Sequence, residues 1–353
     1  MKRDRGWYIR QTKRMGAGLI AILLFVFALE MMKSGAEGLT PVLRGHLDID
    51  HAADCLGLGW LMAYVVLSGS PAAAIAMALL SAETLTQIQA FAMVSGSRLG
   101  ASSIVLLLGF IYTLRGHEPW TVLSTGVLSL LLTASVQFPG LLVGVFMLKQ
   151  GWLDAIYWPW LTHFSTGINA VINPIMGPIT QFFPQWALFV LGGTVITLSF
   201  QLFDKALPEF RFKKAGLNRP SRLIYRPEIM FFMGLLVTLL TLSVSVSIGI
   251  LVPLSARGYV RRENIIPYIL GANISTMIDT LAAALILGAS QAVIVVLAHM
   301  MSAVIVSLPI VLLAYEPYTR LMSGALEWTL SKRRNFAIFL GIFLLVPIVL
   351  ILS

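Results

Sequence analysis

One passage of this chain occurs twice. Residues 59–96 and 234–271 align without a gap, 175 positions apart; positions 59 and 234, 61 and 236, 67 and 242, 68 and 243, 70 and 245, 79 and 254, and 96 and 271 are identical pairs. Isolated Leu or Gly matches come cheaply in an apolar chain. A shared Leu-Ser-x-Ser at 67–70 and 242–245, followed by a glycine at the same distance, does not. Such a chain must build two related halves.

Composition says where those halves sit. Hydrophobic residues make up 58% of the chain and charged residues 12%, against about 25% charged in a soluble domain. The mean hydropathy is +0.85, and apolar runs of roughly 20 residues, enough to cross a bilayer, recur throughout. The expected fold is an all-α polytopic membrane protein. The net charge of +9 comes from Lys and Arg at the ends of apolar runs, where they anchor cytoplasmic loops; no nucleic-acid partner is expected. A single cysteine, Cys55, excludes an intramolecular disulfide and a multi-cysteine metal site. The basic residues 1–14 lead into an apolar run without a small-residue cleavage site, so a retained first helix is predicted.

Helices are predicted at about 16–33, 56–66, 72–80, 87–112, 120–148, 185–206, 229–241, 247–255, 264–287, 290–314 and 335–352. Basic residues place the N-terminus, the central loop (Arg211 to Arg226) and the last loop (Lys332 to Arg334) on the cytoplasmic side. If 229–255 crossed the bilayer, Arg257, Arg261 and Arg262 would lie outside. The equivalent segment 81–89, free of Lys and Arg, would then lie inside. Re-entrant hairpins at about 56–80 and 229–255 remove both violations. They put the serine segments at hairpin tips near mid-membrane, with Pro71 at a break, and give the two halves opposite orientation. The organisation is then a first repeat over 1–150, an aromatic-rich interfacial or re-entrant connector over 151–184, a second, inverted repeat over 185–314, and an amphipathic segment with a last transmembrane helix over 315–353. Inverted repeats around a midplane site characterise secondary transporters.

The polar residues in these segments are the candidate site. Ser68, Ser70, Ser243 and Ser245 offer hydroxyls that donate to an anion or coordinate a cation; single serines more often serve close helix packing, but matched pairs at repeat positions favour a site. Residues 271–276 read Gly-Ala-Asn-Ile-Ser-Thr and open a buried helix with an amide and two hydroxyls. Arg98 stands where the repeat partner has Asn273. A guanidinium two to three turns into a transmembrane helix is a functional residue by default, and its parallel donors suit an oxyanion; the structural alternative is an ion pair with Asp279, the one acid within 264–287. Glu30 reads as interfacial, and His299 as a hydrogen-bonded structural residue. Asn169 and Asn173, four apart, share a helical face suited to packing. His46, Asp48, Asp50, His51, Asp54 and Cys55 cluster in sequence but match no metal motif, and a solvated loop accounts for them; no metal site is expected.

The Leu-Ser-x-Ser segments and the Gly-Ala-Asn-Ile run together resemble the type II sodium/phosphate cotransporters, including their bacterial members. That family carries two inverted repeats, each with Gln-Ser-Ser-Ser followed by Gly-Ala-Asn-Ile-Gly-Thr-Thr. Here Leu67 and Leu242 replace both glutamines, Gly69 and Val244 replace the middle serines, and residues 96–100, Gly-Ser-Arg-Leu-Gly, replace the first Gly-Ala-Asn-Ile-Gly. The resemblance covers most of the chain. It implies a multi-pass protein of the bacterial inner membrane, N-terminus cytoplasmic, moving a small oxyanion, with phosphate first, by alternating access. Sodium is the expected coupling ion, with no cofactor. The implied substrate-binding residues are Ser68, Ser70, Arg98, Ser243, Ser245 and Asn273; the implied cation-binding residues are Asn273, Ser275, Thr276 and Asp279. A different anion, or proton coupling through Asp279 and Arg98, keeps the same fold. A membrane assembly partner without transport is the reading from another class. An enzyme is not expected, since no nucleophile–base pair or metal motif emerges. The expected partners are a small inorganic anion and the lipid bilayer, and the fold allows a homo-oligomer.

Overall fold

The structure, a computed structural model, describes residues 5–39, 41, 45, 49–114, 119–155, 159–206, 226–242, 247–248 and 262–352. Among these residues there are helices and turns and no strand. The helices are α1 (Arg5–Gly35), α2 (Ala52–Val66), α3 (Gly69–Ser81), α4 (Gln87–Leu114), α5 (Pro119–Lys149), α6 (Pro159–Phe182), α7 (Gln185–Ala206), α8 (Pro227–Thr241), α9 (Arg262–Ser275), α10 (Ile278–Leu287), α11 (Ser290–Leu313), α12 (Tyr315–Ser331) and α13 (Arg333–Leu352).

Seven stretches among the described residues are long and apolar enough to cross a membrane: those in α1, α4, α5, α7, α9 with α10, α11 and α13. Large apolar side chains stand exposed on their outer faces, including Leu19, Leu142, Phe146, Leu313 and Leu345. Apolar surface on this scale needs lipid rather than water against it. The chain is a multi-pass membrane protein by length and composition.

The segment predicted as the first hairpin forms two short helices, α2 and α3. With 15 and 13 residues, each is about 20–23 Å long at 1.5 Å per residue, too short for a hydrocarbon layer of about 30 Å. Their junction is tight. Leu67 closes α2 in the left-handed region at φ 52°, and Ser68 opens α3 from extended backbone. Pro71 falls in the first turn of α3, where its missing N–H costs no helical bond. Every residue from Gly69 to Leu80 is buried. A helix apolar on all sides belongs in an interior, and α3 is the hub: α1, α2, α4, α7, α10 and α11 all pack on it. Its alanines (Ala72, Ala73, Ala74, Ala76 and Ala78) let those neighbours approach closely.

One helix crossing of the first half recurs in the second. Where α2 crosses α4, a Cβ on Gly59 would collide with the carbonyl of Met93, and one on Gly96 with the carbonyl of Leu56. Where α8 crosses α9, Gly234 meets the carbonyl of Tyr268 and Gly271 that of Phe231 in the same way. All four glycines and all four carbonyls correspond at the 175-residue spacing. Leu242, the partner of Leu67, likewise ends α8 in the left-handed region, at φ 50°. The second arm of this hairpin is described at Ser247 and Ile248; the rest of the predicted 247–255, with Ser243 and Ser245, lies outside the described residues. Ser247 is pinned by the Thr238 hydroxyl at 2.6 Å and the Tyr268 hydroxyl at 2.9 Å. The equivalent trio in the first half, Ala63, Ala72 and Met93, is apolar and buried.

One expectation changes, and two further segments prove helical. The helix predicted over 264–287 is broken between α9 and α10. Met277 donates its N–H to Ile274 O in a tight turn, and Thr280 gives its N–H to the carboxylate of Asp279; side-chain capture of this kind competes with the helical ladder. The connector over 151–184 contains α6, a 24-residue helix despite Pro174 and Pro178, which packs against α1 and α10. The segment 315–331 is the 17-residue α12, packed on α5 and α13.

Candidate functional site

The site lies where the start of α3, the middle of α4 and the α9–α10 break converge. The chain puts backbone polarity there first: the opening turn of α3 presents N–H groups without intrahelical partners and the positive end of a helix dipole. Gly69 allows the approach. A Cβ at Gly69 would stand 2.7 Å from Ser97 O, 2.9 Å from Ala101 Cβ and 3.3 Å from Arg98 Cζ. The residue that replaces the middle serine of the resembled family is thus the one against which the guanidinium rests.

Arg98 projects from α4 and is 5% exposed. Its Nη1 donates to Thr276 Oγ1 at the helix break, 3.0 Å away, and its Nε lies 3.4 Å from Ser97 Oγ. Nη2 is buried without a hydrogen-bond partner. Asp279, in the first turn of α10 and 6% exposed, directs Oδ1 to the N–H and hydroxyl of Thr280. Its Oδ2 has no hydrogen-bond partner, although Ser70 and Arg98 are near enough to act on the carboxylate. The alternative of a structural ion pair is therefore incomplete: each charge is oriented by a hydroxyl of the second half, and each keeps one atom unmatched. Leaving a buried charged donor or acceptor unsatisfied costs about 1–3 kcal/mol or more.

His299 on α11 joins the cluster. It was expected to be hydrogen-bonded; instead both ring nitrogens are buried without a partner, the ring tilts against Phe91 at 5.6 Å, and it lies within the field of Arg98. Ser68, at the tip, is half-buried, and its side chain does not cap α3. Asn273 turns to α5, with Nδ2 3.3 Å from Thr133 Oγ1, and Ser275 bonds back to Ala272 O. The structure thus brings Ser70, Arg98, Thr276 and Asp279 together and sends Asn273 and Ser275 elsewhere. Ser243 and Ser245 lie outside the described residues. Asn173 is exposed on α6, and the Asn169 side chain is not among those described.

In the first turn of α2, Asp54 Oδ2 accepts the backbone N–H groups of His51 and Asp50 at 2.7 and 3.1 Å and so caps the start of the helix. His46 and Asp48 lie outside the described residues; among the described residues no group of three or more His, Cys, Asp or Glu is disposed to hold a metal ion. Sequence reasoning missed Asp204, near the end of α7, which faces Asp279 across a cavity. The signal for it was an acid in the last turn of an apolar helix, ahead of a basic loop.

No family model matches the chain, and neither a curated protein nor a solved structure matches it.

Proposed function

We propose that the chain is a secondary transporter of a small oxyanion, inorganic phosphate first, built on the plan of the type II sodium/phosphate cotransporters. The observation that carries this reading is the buried Arg98, held at a hairpin tip by the other half of the molecule with Nη2 unmatched. Nη2, the opening N–H groups of α3 and the Ser70 hydroxyl are donors of the kind that replace the hydration of an oxyanion. Asp279 beside them offsets part of the charge, so the anion is held without being trapped.

The equivalent glycine crossings support two repeats, and the short helices α2, α3 and α8 support hairpins that enter and leave on one side. The basic loops, read as cytoplasmic by the positive-inside rule, favour an N-terminus inside a bacterial inner membrane and a second half inverted relative to the first. Transport then alternates as one half moves against the other around Arg98, with sodium as the coupling ion.

Flux of labelled phosphate, sulfate and small carboxylates into proteoliposomes of the purified protein, with and without Na⁺, tests this. Arg98→Ala is expected to abolish uptake while the protein stays monodisperse, and Arg98→Lys to retain a small fraction, since an ammonium lacks the parallel donors. No flux of any anion by the wild type would leave the chain a membrane component of another kind.

A further inference from the structure

The helix α12 joins two candidate spans, α11 and α13, yet is not among the stretches long and apolar enough to cross a membrane. Single residues, Ala314 and Lys332, separate it from them, so it cannot leave the bilayer they occupy. It has two apolar sides. Met322 and Leu326 are buried against the rest of the chain, and the Tyr318 hydroxyl meets that of Ser135 on α5 at 2.6 Å. On the opposite side Pro317, Leu321, Gly324 and Trp328 fall on one stripe by helical spacing, and all four are exposed. Leu321 is 65% and Trp328 56% exposed. Arg320 and Glu327 flank the stripe and offset one another. The chain then turns a corner. Buried Asn335 donates through Nδ2 to Trp328 O at 2.8 Å and to Ser331 Oγ at 3.2 Å, and Ser331 donates to Trp328 O. This fixed corner presents Lys332, Arg333 and Arg334, all exposed. The first turn of α13 has no acid. Three cations therefore stand at a helix end that is itself positive, with nothing in that turn to offset them.

We propose that this stripe and corner form a docking surface for an anionic phospholipid, with its phosphate on Lys332, Arg333 and Arg334 and an acyl chain along Trp328 and Leu321. Charge complementarity selects the headgroup. Guanidinium donors match phosphate oxygens in pairs, and basic residues beside a transmembrane helix gain from an anionic leaflet. The stripe selects a lipid over free phosphate. Trp328 lies one helical turn before Lys332, and an amphipathic helix with Trp and Leu exposed beside cations suits a lipid interface. The corner is one of the basic segments read as cytoplasmic, so the lipid belongs to the inner leaflet. None of these residues belongs to the Arg98 cluster, and lipid binding here stands apart from the transport reading. Its effect passes along α13, which packs on α2 and α12. There Tyr64 donates its hydroxyl to Phe343 O at 2.7 Å, Trp60 meets the Phe343 ring edge-on at 5.5 Å, and Gly57 admits the carbonyl of Pro347. A lipid that fixes the foot of α13 thereby braces α2, the helix that leads into Ser68.

The test uses the full chain in a neutral detergent, with phosphatidylglycerol or phosphatidylcholine of the same acyl chains added. Melting temperature is followed against lipid concentration, and retained lipid is counted by native mass spectrometry. Phosphatidylglycerol should stabilise the wild type and phosphatidylcholine much less, since a lipid held by the folded state raises the melting temperature by mass action. Raising NaCl from about 0.1 to about 0.5 M should narrow the difference. A variant carrying Lys332→Gln, Arg333→Gln and Arg334→Gln should raise the half-saturating phosphatidylglycerol concentration about tenfold or more and leave the response to phosphatidylcholine unchanged. Trp328→Ala should weaken both lipids about threefold. All four side chains are exposed, so the fold is expected to survive. Should the triple variant aggregate, Arg333→Gln and Arg334→Gln are read singly, each expected to cost about fivefold. Equal stabilisation by the two lipids, or a preference for phosphatidylglycerol that survives the triple variant, overturns the inference. So does inorganic phosphate that reproduces the stabilisation and loses it in the triple variant, which would mark an ion site without lipid. A larger species on size exclusion that disappears in Trp328→Ala would give the stripe to a second copy of the chain and overturn it as well. No lipid readout needs flux, so failure of anion uptake bears on the transport reading alone.

Discussion

Arg98 and Gly69 explain each other. A guanidinium can lie against the hairpin tip only because residue 69 has no side chain, and an added Cβ would also press within 2.7 Å of the Ser97 carbonyl, a backbone atom that cannot swing aside. Gly69→Ala is expected to lower stability by about 1–3 kcal/mol, the range for overpacking a filled interior, seen as a reduced melting temperature with reduced anion flux. Ser70→Ala and Ser68→Ala should differ in proportion to their surroundings. Ser70 is buried beside Asp279, whereas Ser68 is half-buried and caps nothing. The expected result is a larger loss of uptake for Ser70→Ala, measured as initial rate at equal reconstituted protein. Equal rates for both variants would place the substrate away from α3. Arg98 was legible in the sequence because a buried arginine stands where the repeat partner has an amide, with an ion pair to Asp279 as the structural alternative. Its bond to Thr276 was not, since the two lie 178 positions apart and no local pattern signals the meeting.

Helices and their crossings were the most legible level. Apolar periodicity and flanking charge located the long helices, and the glycines that make the repeat recognisable are the ones that let backbones touch where α2 crosses α4 and α8 crosses α9. The break after Thr276 escaped because nothing in a polar but otherwise helical run marks where Asp279 will capture the N–H of Thr280. The α6 helix escaped because the segment was read for its aromatic residues rather than its period; it continues through Pro174 and Pro178 and packs on α1 and α10. The crossings carry a paired prediction. Gly96→Leu and Gly271→Leu insert the same bulk against the carbonyls of Leu56 and Phe231, and both should abolish folded protein by size-exclusion chromatography, whereas Gly341→Leu, with open space around it, should be tolerated. Hairpin topology is tested separately, by single cysteines in a background lacking Cys55. An impermeant thiol reagent should reach positions 81–89 from outside and 256–263 from inside; labelling of both from one side would exclude paired re-entrant hairpins.

For the whole molecule, the two halves share a frame and diverge in charge. The first contributes a fixed cation on an unbroken helix; the second contributes a broken helix with Asp279 at its opening and, through Thr276, the hydroxyl that orients that cation. A guanidinium bonded to Thr276 repels a second positive charge there, and in a buried setting the repulsion is weakly screened. Thr276 is therefore withdrawn from any cation, and Asn273 and Ser275 face other partners, which leaves the Asp279 side of the pair for a single coupling ion. The expected Na⁺ dependence of anion uptake is consequently shallow, with a Hill coefficient near one at most. Arg98→Asn places an amide at the position equivalent to Asn273 and frees Thr276. If the fold survives, the variant should show weaker anion binding but a steeper Na⁺ response, measured as uptake rate against Na⁺ at constant ionic strength. A steep, multi-ion response in the unmodified protein would mean that Arg98 leaves the cation route during transport, and the asymmetry between the halves would then lie in their motion rather than in their charge.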